Sequence, residues 1–292
     1  MRHHGRASRG ASGRAHRSVT PAELQTAARR WQAAATPAVL VEVAAARGSV
    51  PRGDGTRMLV SAGAVLGTIG GGHLELQAIA QARERLHAGG GGHDQAVQHV
   101  ALGPSLGQCC GGALDLRYTP LQGADVAGWT LPPPRFKLQL YGAGHVGRAI
   151  VKLLADIDCR VQWIDEREAE FPPGLLPPHI ERVCVEPVDA EVAQAAPGAC
   201  FLVLTHSHDL DLAITQAILA RGDFAWFGLI GSATKRARFE TRLRQRGVDA
   251  ALIARLVCPI GLPGISGKEP AVIALAVVAQ LLALTAAPRL AR

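Results

Sequence analysis

Tyr141-Gly142-Ala143-Gly144-His145-Val146-Gly147 is the stretch that decides the fold. Before it, Phe136-Lys137-Leu138-Gln139-Leu140-Tyr141 alternates with the period of two of a strand, and after it Val146, Ile150, Leu153 and Leu154 recur at helical spacing. Strand, glycine turn and helix in that order form a dinucleotide fingerprint. Its first glycine, Gly142, permits the tight turn, and its second, Gly144, lets the backbone approach a pyrophosphate. Its third, Gly147, lets the helix lie close to the strand, and the helix N-terminus faces the negative charge. The fingerprint also calls for an acid about 20 residues on, at the end of the next strand, to grip a ribose hydroxyl. Asp165 ends Arg160-Val161-Gln162-Trp163-Ile164 and takes that place. Arg167 offers a 2′-phosphate instead, so NAD and NADP both stay open. The plainer alternative is a glycine turn that only packs a helix on a strand.

Working outward, strand-like runs near residues 136–141, 160–164, 182–186, 200–204 and 225–230 have helical patterns between and after them. Such alternation predicts a parallel sheet covered on both faces, here over residues 136–286. The apolar run from Ala271 to Ala287 is broken by Gln280 and Thr285 and falls short of the ~20 residues of a spanning helix, so it reads as a buried C-terminal helix and not as a membrane anchor. Residues 121–135 turn to Pro, Gly and Ala, the composition of a linker. Residues 19–120 are a second, smaller and strand-rich domain. Thr20-Pro21-Ala22-Glu23 is a capping box that opens a helix running to about Ala35. Strands follow at Ala38–Val43, from Met58, at Val65–Ile69 and at Ala113–Tyr118, with a weaker alternation over Gln95–Leu102.

The net charge is +7, but Arg2, Arg6, Arg9, Arg14 and Arg17 lie in the first eighteen residues without an acid, which leaves +2 for the remainder. The basic balance therefore belongs to an arm, residues 1–18, read as disordered, and gives no nucleic-acid face. The arm lacks the apolar core of a secretory signal. An apolar fraction of 48% in 292 residues suffices for two ordinary cores. Six cysteines without the dense spacing of a small secreted domain read as the free thiols of a cytoplasmic protein.

Four further places carry candidate chemistry. Gly70-Gly71-Gly72-His73 ends a strand and opens a helix, so an anion is welcome there; a histidine used as a partial cap is the alternative. Cys109 and Cys110 stand between Gly107 and Gly111-Gly112. Adjacent thiols pair badly, whereas a thiolate on such a bendable loop is a soft metal ligand and a nucleophile. His206-Ser207-His208-Asp209 with Asp211 approaches a metal-hydrolase signature but departs from it at Leu210 and Asp211, so capping of the next helix competes with metal binding. Gly231-Ser232 ends a strand ahead of a helix on which Lys235, Arg238, Arg242 and Arg246 make one stripe. That stripe reads first as a solvated face; its functional version is an acidic partner or a ligand phosphate near Lys235.

Taken together, Gly67-Thr68-Ile69-Gly70-Gly71-Gly72-His73-Leu74-Glu75, Leu102-Gly103-Pro104-Ser105-Leu106-Gly107-Gln108-Cys109-Cys110-Gly111-Gly112 and Gly228-Leu229-Ile230-Gly231-Ser232 resemble the XdhC family of xanthine dehydrogenase accessory proteins, over about Val39 to Leu282. The fold this implies is α/β, with a C-terminal Rossmann-like parallel sheet, helices on both its faces, and a smaller strand-rich α/β N-terminal domain. The resemblance also implies a molybdenum cofactor chaperone. It would protect the molybdopterin form while a cysteine desulfurase exchanges an oxo ligand for sulfur, then insert the cofactor into apo xanthine dehydrogenase, without turnover of its own. It would act in the cytoplasm as a homodimer, with neither nucleic acid nor membrane as a partner. Carried over residue by residue, the cofactor contacts are Cys110 with Cys109 beside it as the molybdenum contacts, then Gly111, His73, Gly71 and Gly72. Gly142, Gly144, Gly147, Asp165, Gly231 and Ser232 complete the set. Glu269 departs from the family, whose members place Thr or Ser there. The competing expectation is an NAD(P)-dependent oxidoreductase working through Gly142–Gly147.

Overall fold

The computed structural model describes residues 19–88, 95–102 and 111–285. The basic arm and the loop with Cys109 and Cys110 lie outside the described residues. The chain divides into two compact units, Met1–Pro132 and Pro133–Arg292.

In the first unit, helix α1 (Pro21–Ala33) starts at the expected capping box: the Glu23 N–H donates to Thr20 Oγ1 at 3.3 Å, and the Thr20 N–H donates to Glu23 Oε2 at 2.9 Å. Strands β1 (Ala38–Arg47), β2 (Arg57–Ser61) and β3 (Val65–Gly67) precede helix α2 (Gly72–His87), and β4 (Ala96–Ala101) and β5 (Ala113–Pro120) follow it. They form one antiparallel sheet in the order β3-β2-β1-β5-β4. The central strand shows why both faces are covered. Val39, Val41 and Val43 of β1 join Leu74, Ala78 and Ala82 of α2 in one core, while Ala38 and Leu40 join Leu24 and Ala28 of α1 in another. Strand β1 runs past Val43 because Ala45, Ala46 and Arg47 continue to pair with β5 after a register shift, a continuation that its small alanines conceal in the sequence. The stretch read as a linker packs over its first half: Leu121 and Val126 are buried against α1, and Gln32 Nε2 donates to the carbonyls of Leu121 and Ala124 at 2.7 and 2.9 Å.

The second unit holds β6 (Lys137–Tyr141), α3 (His145–Leu154), β7 (Arg160–Asp165), β8 (Ile180–Cys184), β9 (Cys200–Val203), α4 (His208–Arg221), β10 (Trp226–Leu229), α5 (Ala233–Gln245), α6 (Ala250–Ala254), β11 (Leu256–Val257) and α7 (Pro270–Thr285). Its six strands are all parallel and lie in the order β11-β10-β9-β6-β7-β8. Counted from β6, that is the 3-2-1-4-5-6 order of a doubly wound Rossmann sheet. Leu138 and Leu140 of β6 pack with Ile150 and Leu154 of α3 and with Ala274, Val277 and Leu281 of α7, which is how the apolar C-terminal helix is buried. Tyr141 faces the other layer with Ile214 and Ile218 of α4 and Phe239 of α5. Because both faces are covered, Gln139 is buried as well; it donates to Gln162 Oε1 and accepts from the Tyr141 hydroxyl. Among the described residues no helix is long and apolar enough to cross a membrane.

One expectation differs in detail. Between β7 and β8, and between β8 and β9, short 3-10 turns (Glu168–Glu170 and Val188–Gln194) stand where alternation predicts full helices. Pro172, Pro173, Pro177, Pro178 and Pro187 occupy these connections, and proline ends a helix by removing an N–H and by clashing with the preceding turn.

Candidate functional site

The glycine turn is as tight as its sequence requires. Gly142 has φ +118°, and a Cβ there would run into the Leu204 carbonyl. A Cβ on Gly147 would run into the Gly142 carbonyl oxygen. Gly144, the N-cap of α3, has nothing within 4 Å of a would-be Cβ, so its backbone is open to approach.

Asp165 closes β7 as expected, but its carboxylate is already engaged. Oδ2 accepts from the Ala143 N–H at 2.7 Å and from Arg167 Nη2 at 3.0 Å; Oδ1 accepts from the Arg167 N–H at 2.9 Å and from Arg167 Nε at 3.0 Å. The residue is 5% exposed. Burial works to raise its pKa, yet the bonds from Arg167 and Ala143 outweigh it and hold the carboxyl below the ordinary aspartate value. Trp163 Nε1 fixes the turn from the other side by donating to the Gly142 carbonyl at 3.0 Å. Between Gly142, Asp165, Thr205 and His206 the remaining cavity is about 10 Å³, room for a water at most. Arg167 offers little to a 2′-phosphate, since Asp165 and Glu170 hold it. The turn of the fingerprint is thus present, and the acid that would grip a ribose is engaged with Arg167 and the Ala143 N–H.

A larger opening lies next along the sheet, where β9 and β10 end. It has a volume of about 640 Å³ and is lined by Thr205, His206, His208, Ser232, Arg238 and Arg242, among others. Helices α4 and α5 both begin here, capped by Ser207 and Ser232, whose hydroxyls accept from the N–H groups of Leu210 and Lys235. Asp211, 1% exposed, ties the two strand ends together. Its Oδ1 accepts from the Thr205 N–H and hydroxyl at 3.0 and 2.7 Å, and its Oδ2 accepts from Lys235 Nζ at 2.5 Å. Lys235 is thus a strut of the fold. A cavity of about 800 Å³ lies at the opposite end of the sheet, around Lys137, Arg160 and His179, away from the strand C-termini where ligands of open α/β sheets bind.

In the first unit, two glycine motifs that are 40 residues apart in the chain meet on one turn. A Cβ on Gly70 would lie 2.6 Å from Pro51 Cγ, and one on Gly112 would lie 2.5 Å from the carbonyl oxygens of Arg47 and Ser49. Thus the segment from Arg47 to Pro51 is clasped between the Gly70–Gly72 turn and Gly111-Gly112. The Leu102 N–H donates to the Gly112 carbonyl at 2.8 Å, joining the two described ends that flank the cysteine loop. Among the described residues, nothing lies within 4 Å of a would-be Cβ on Gly71 (φ +76°) or on Gly111. His73, in the first turn of α2, is exposed, and Gln77 Nε2 lies 3.0 Å from its Nε2.

Glu75 is the residue the sequence did not single out. It is 5% exposed, and its Oε2 accepts from the N–H groups of Ile69 and Gly71 at 2.9 and 3.1 Å and from Thr68 Oγ1 at 2.5 Å. The chain's own carboxylate thus takes donors that the triple glycine offers to an anion. The signal was there: an acid four residues beyond Gly71, on the inner face of α2.

Four cysteines, Cys159, Cys184, Cys200 and Cys258, are free thiols, and burial pushes those of Cys159 and Cys200 up to about 12 and about 11, which makes them inert. Among the described residues no group of three or more His, Cys, Asp or Glu side chains is placed to hold a metal ion.

Fold and site define a two-domain α/β protein: a Rossmann-type domain that keeps the glycine turn but locks it internally, and an antiparallel domain that gathers two glycine motifs on one turn. The chain belongs to the XdhC family: a model of the XdhC Rossmann domain matches residues 138–281, and one of the XdhC and CoxI family matches residues 31–99. It is 31% identical over 258 residues to the uncharacterized protein YqeB of Escherichia coli (strain K12), covering 84% of this chain and 43% of that protein. The chain thus spans less than half the length of that curated relative. The crystal structure of a Bacillus halodurans protein described as a xanthine dehydrogenase is similar with a TM-score of 0.68 at 18% identity, over 92% of this chain and 98% of that one. At that identity the likeness is one of fold.

Proposed function

We propose that the chain is an accessory protein of xanthine dehydrogenase that carries the molybdenum cofactor: it holds the molybdopterin form, shields it while a cysteine desulfurase supplies sulfur, and passes it to the apoenzyme. The observation that carries this reading is the meeting of Gly70–Gly72 and Gly111-Gly112 on the Arg47–Pro51 segment, which brings together the described parts of two of the three family motifs. Open space at Gly71 and Gly111 lets a large polar cofactor come close, because close approach needs positions without a Cβ, while the Gly71 N–H itself is held by Glu75. When bound, the cofactor brings the molybdenum centre that the dehydrogenase uses. The chain's part is to bind, orient and release it. Gly71, Gly72, His73 and Gly111 would hold it in the first unit together with Cys109 and Cys110, whose thiolates suit a soft metal. In the second unit, taken by itself, Gly231 and Ser232 stand at the N-terminus of α5, where a phosphate would be met. Gly142, Gly147 and Asp165 keep the sheet end rigid, and Gly144 is the open point of that turn. Such a carrier needs no acid–base pair of its own, and it would work in the cytoplasm as a homodimer.

The test is transfer. Apo xanthine dehydrogenase is incubated with isolated cofactor, with and without this protein, and xanthine oxidation is followed. Faster and fuller activation with the wild-type chain, lost in a Cys109→Ala, Cys110→Ala variant, is the expected result. Activation that the protein leaves unchanged would sink the insertion role. NADH and NADPH titrations address the oxidoreductase alternative, for which saturable binding abolished by Gly144→Val, with turnover of a substrate, is required.

A further inference from the structure

We propose that the opening at the ends of β9 and β10 is a phosphate site, displaced by one strand from the glycine turn, for a ligand that ends in a phosphomonoester or diphosphate. Three observations converge on it. The first is space: about 640 Å³ here is within the range of small-ligand sites, against about 10 Å³ at the turn itself.

The second is charge. Helix α5 has one acid, Glu240, and it holds Arg236 and Arg244, at 2.8 and 3.1 Å. Lys235, Arg238 and Arg242 form the stripe that lines the opening. Lys235 is neutralised by Asp211, and among the described residues Arg238 makes no ion pair. Among the described residues Arg242 has only Asp209, at 3.7 Å, whose side chain is 93% exposed and therefore strongly screened by water. Two guanidinium groups are thus left to the opening, and their planar forks match phosphate oxygens.

The third is the backbone. Helices α4 and α5 both start at this opening; Asp209 and Asp211 stand in the first turn of α4, whereas the first turn of α5 has no acid, so the positive dipole end of α5 reinforces the arginines. Ser232 and Thr234 add hydroxyls, and Ile230 and Phe239 add an apolar wall for the body of the ligand. His206 and His208 complete the rim, His206 with Glu166 Oε1 at 3.6 Å.

A phosphate terminus occurs on pterin cofactors and on nucleotides alike, so the site does not depend on the carrier reading. The full-length protein is prepared from a host that makes no molybdenum cofactor and titrated calorimetrically with pyrophosphate, ADP and a pterin monophosphate. Saturable pyrophosphate binding is expected, weakened at least ten-fold by Arg238→Ala and by Arg242→Ala and unchanged by Arg244→Ala, with circular dichroism showing each variant folded. The tighter of ADP and pterin monophosphate then identifies the source, and either ranking supports the site. No saturable binding of any of the three, equal weakening by Arg244→Ala, or loss on Gly144→Val with Arg238→Ala neutral would overturn it. Failure here leaves cofactor transfer to be judged by its own assay.

Discussion

Asp165 and Arg167 form a side-chain fork, Nε to Oδ1 and Nη2 to Oδ2, both at 3.0 Å, across two residues of one strand end. Together with the Ala143 N–H this turns the fingerprint's ligand-gripping acid into a lock on the glycine turn. A carboxyl held below its ordinary value stabilises the fold fully above the unfolded pKa of about 3.9, and the contribution is lost as pH falls through the lower folded value. Urea midpoints from pH 7 down to 3 should therefore show Asp165→Asn less stable than wild type at neutral pH, with the gap closing below about pH 4. A gap that does not change with pH would contradict the lock.

The three glycines of the turn should separate by role. Gly142→Ala and Gly147→Ala each force a Cβ onto backbone carbonyl oxygen and should cost about 1–3 kcal/mol in denaturant unfolding. Gly144→Ser meets open space at an N-cap, where serine is favoured, and should leave stability within a few tenths of a kcal/mol. Equal losses at all three positions would show that the turn is not built as described.

Much of this was legible in the chain because its causes are local. The Thr20 capping box, the glycine order at Gly142–Gly147 and the strand alternation depend on neighbours a few residues away. What stayed hidden depends on long-range order. That Arg238 lines an opening with Thr205 requires β10 to lie beside β9, and that Asp165 is taken requires knowing where the Arg167 side chain turns. The proline-rich connections around β8 defeated the expected alternation, and β11, two residues long, is too short to show a period.

Glu75 gives a sharper test of the first unit. Glu75→Ala removes the acceptor of the Ile69 and Gly71 N–H groups and of the Thr68 hydroxyl, at about 1–3 kcal/mol for a donor left buried and unpaired. Glu75→Gln keeps an acceptor oxygen and should lose less. Chemical denaturation of both variants checks the order; a glutamine variant as unstable as the alanine one would assign the effect to packing instead.

The most direct measurement of the carrier claim is the cofactor content of the protein itself. The chain is purified from cells that make the molybdenum cofactor, and oxidised pterin fluorescence and molybdenum are quantified per mole, beside Cys109→Ala and Cys110→Ala variants. Pterin and molybdenum should co-purify in comparable amounts with the wild-type chain and fall sharply in at least one variant. Wild-type protein free of pterin would contradict the claim outright.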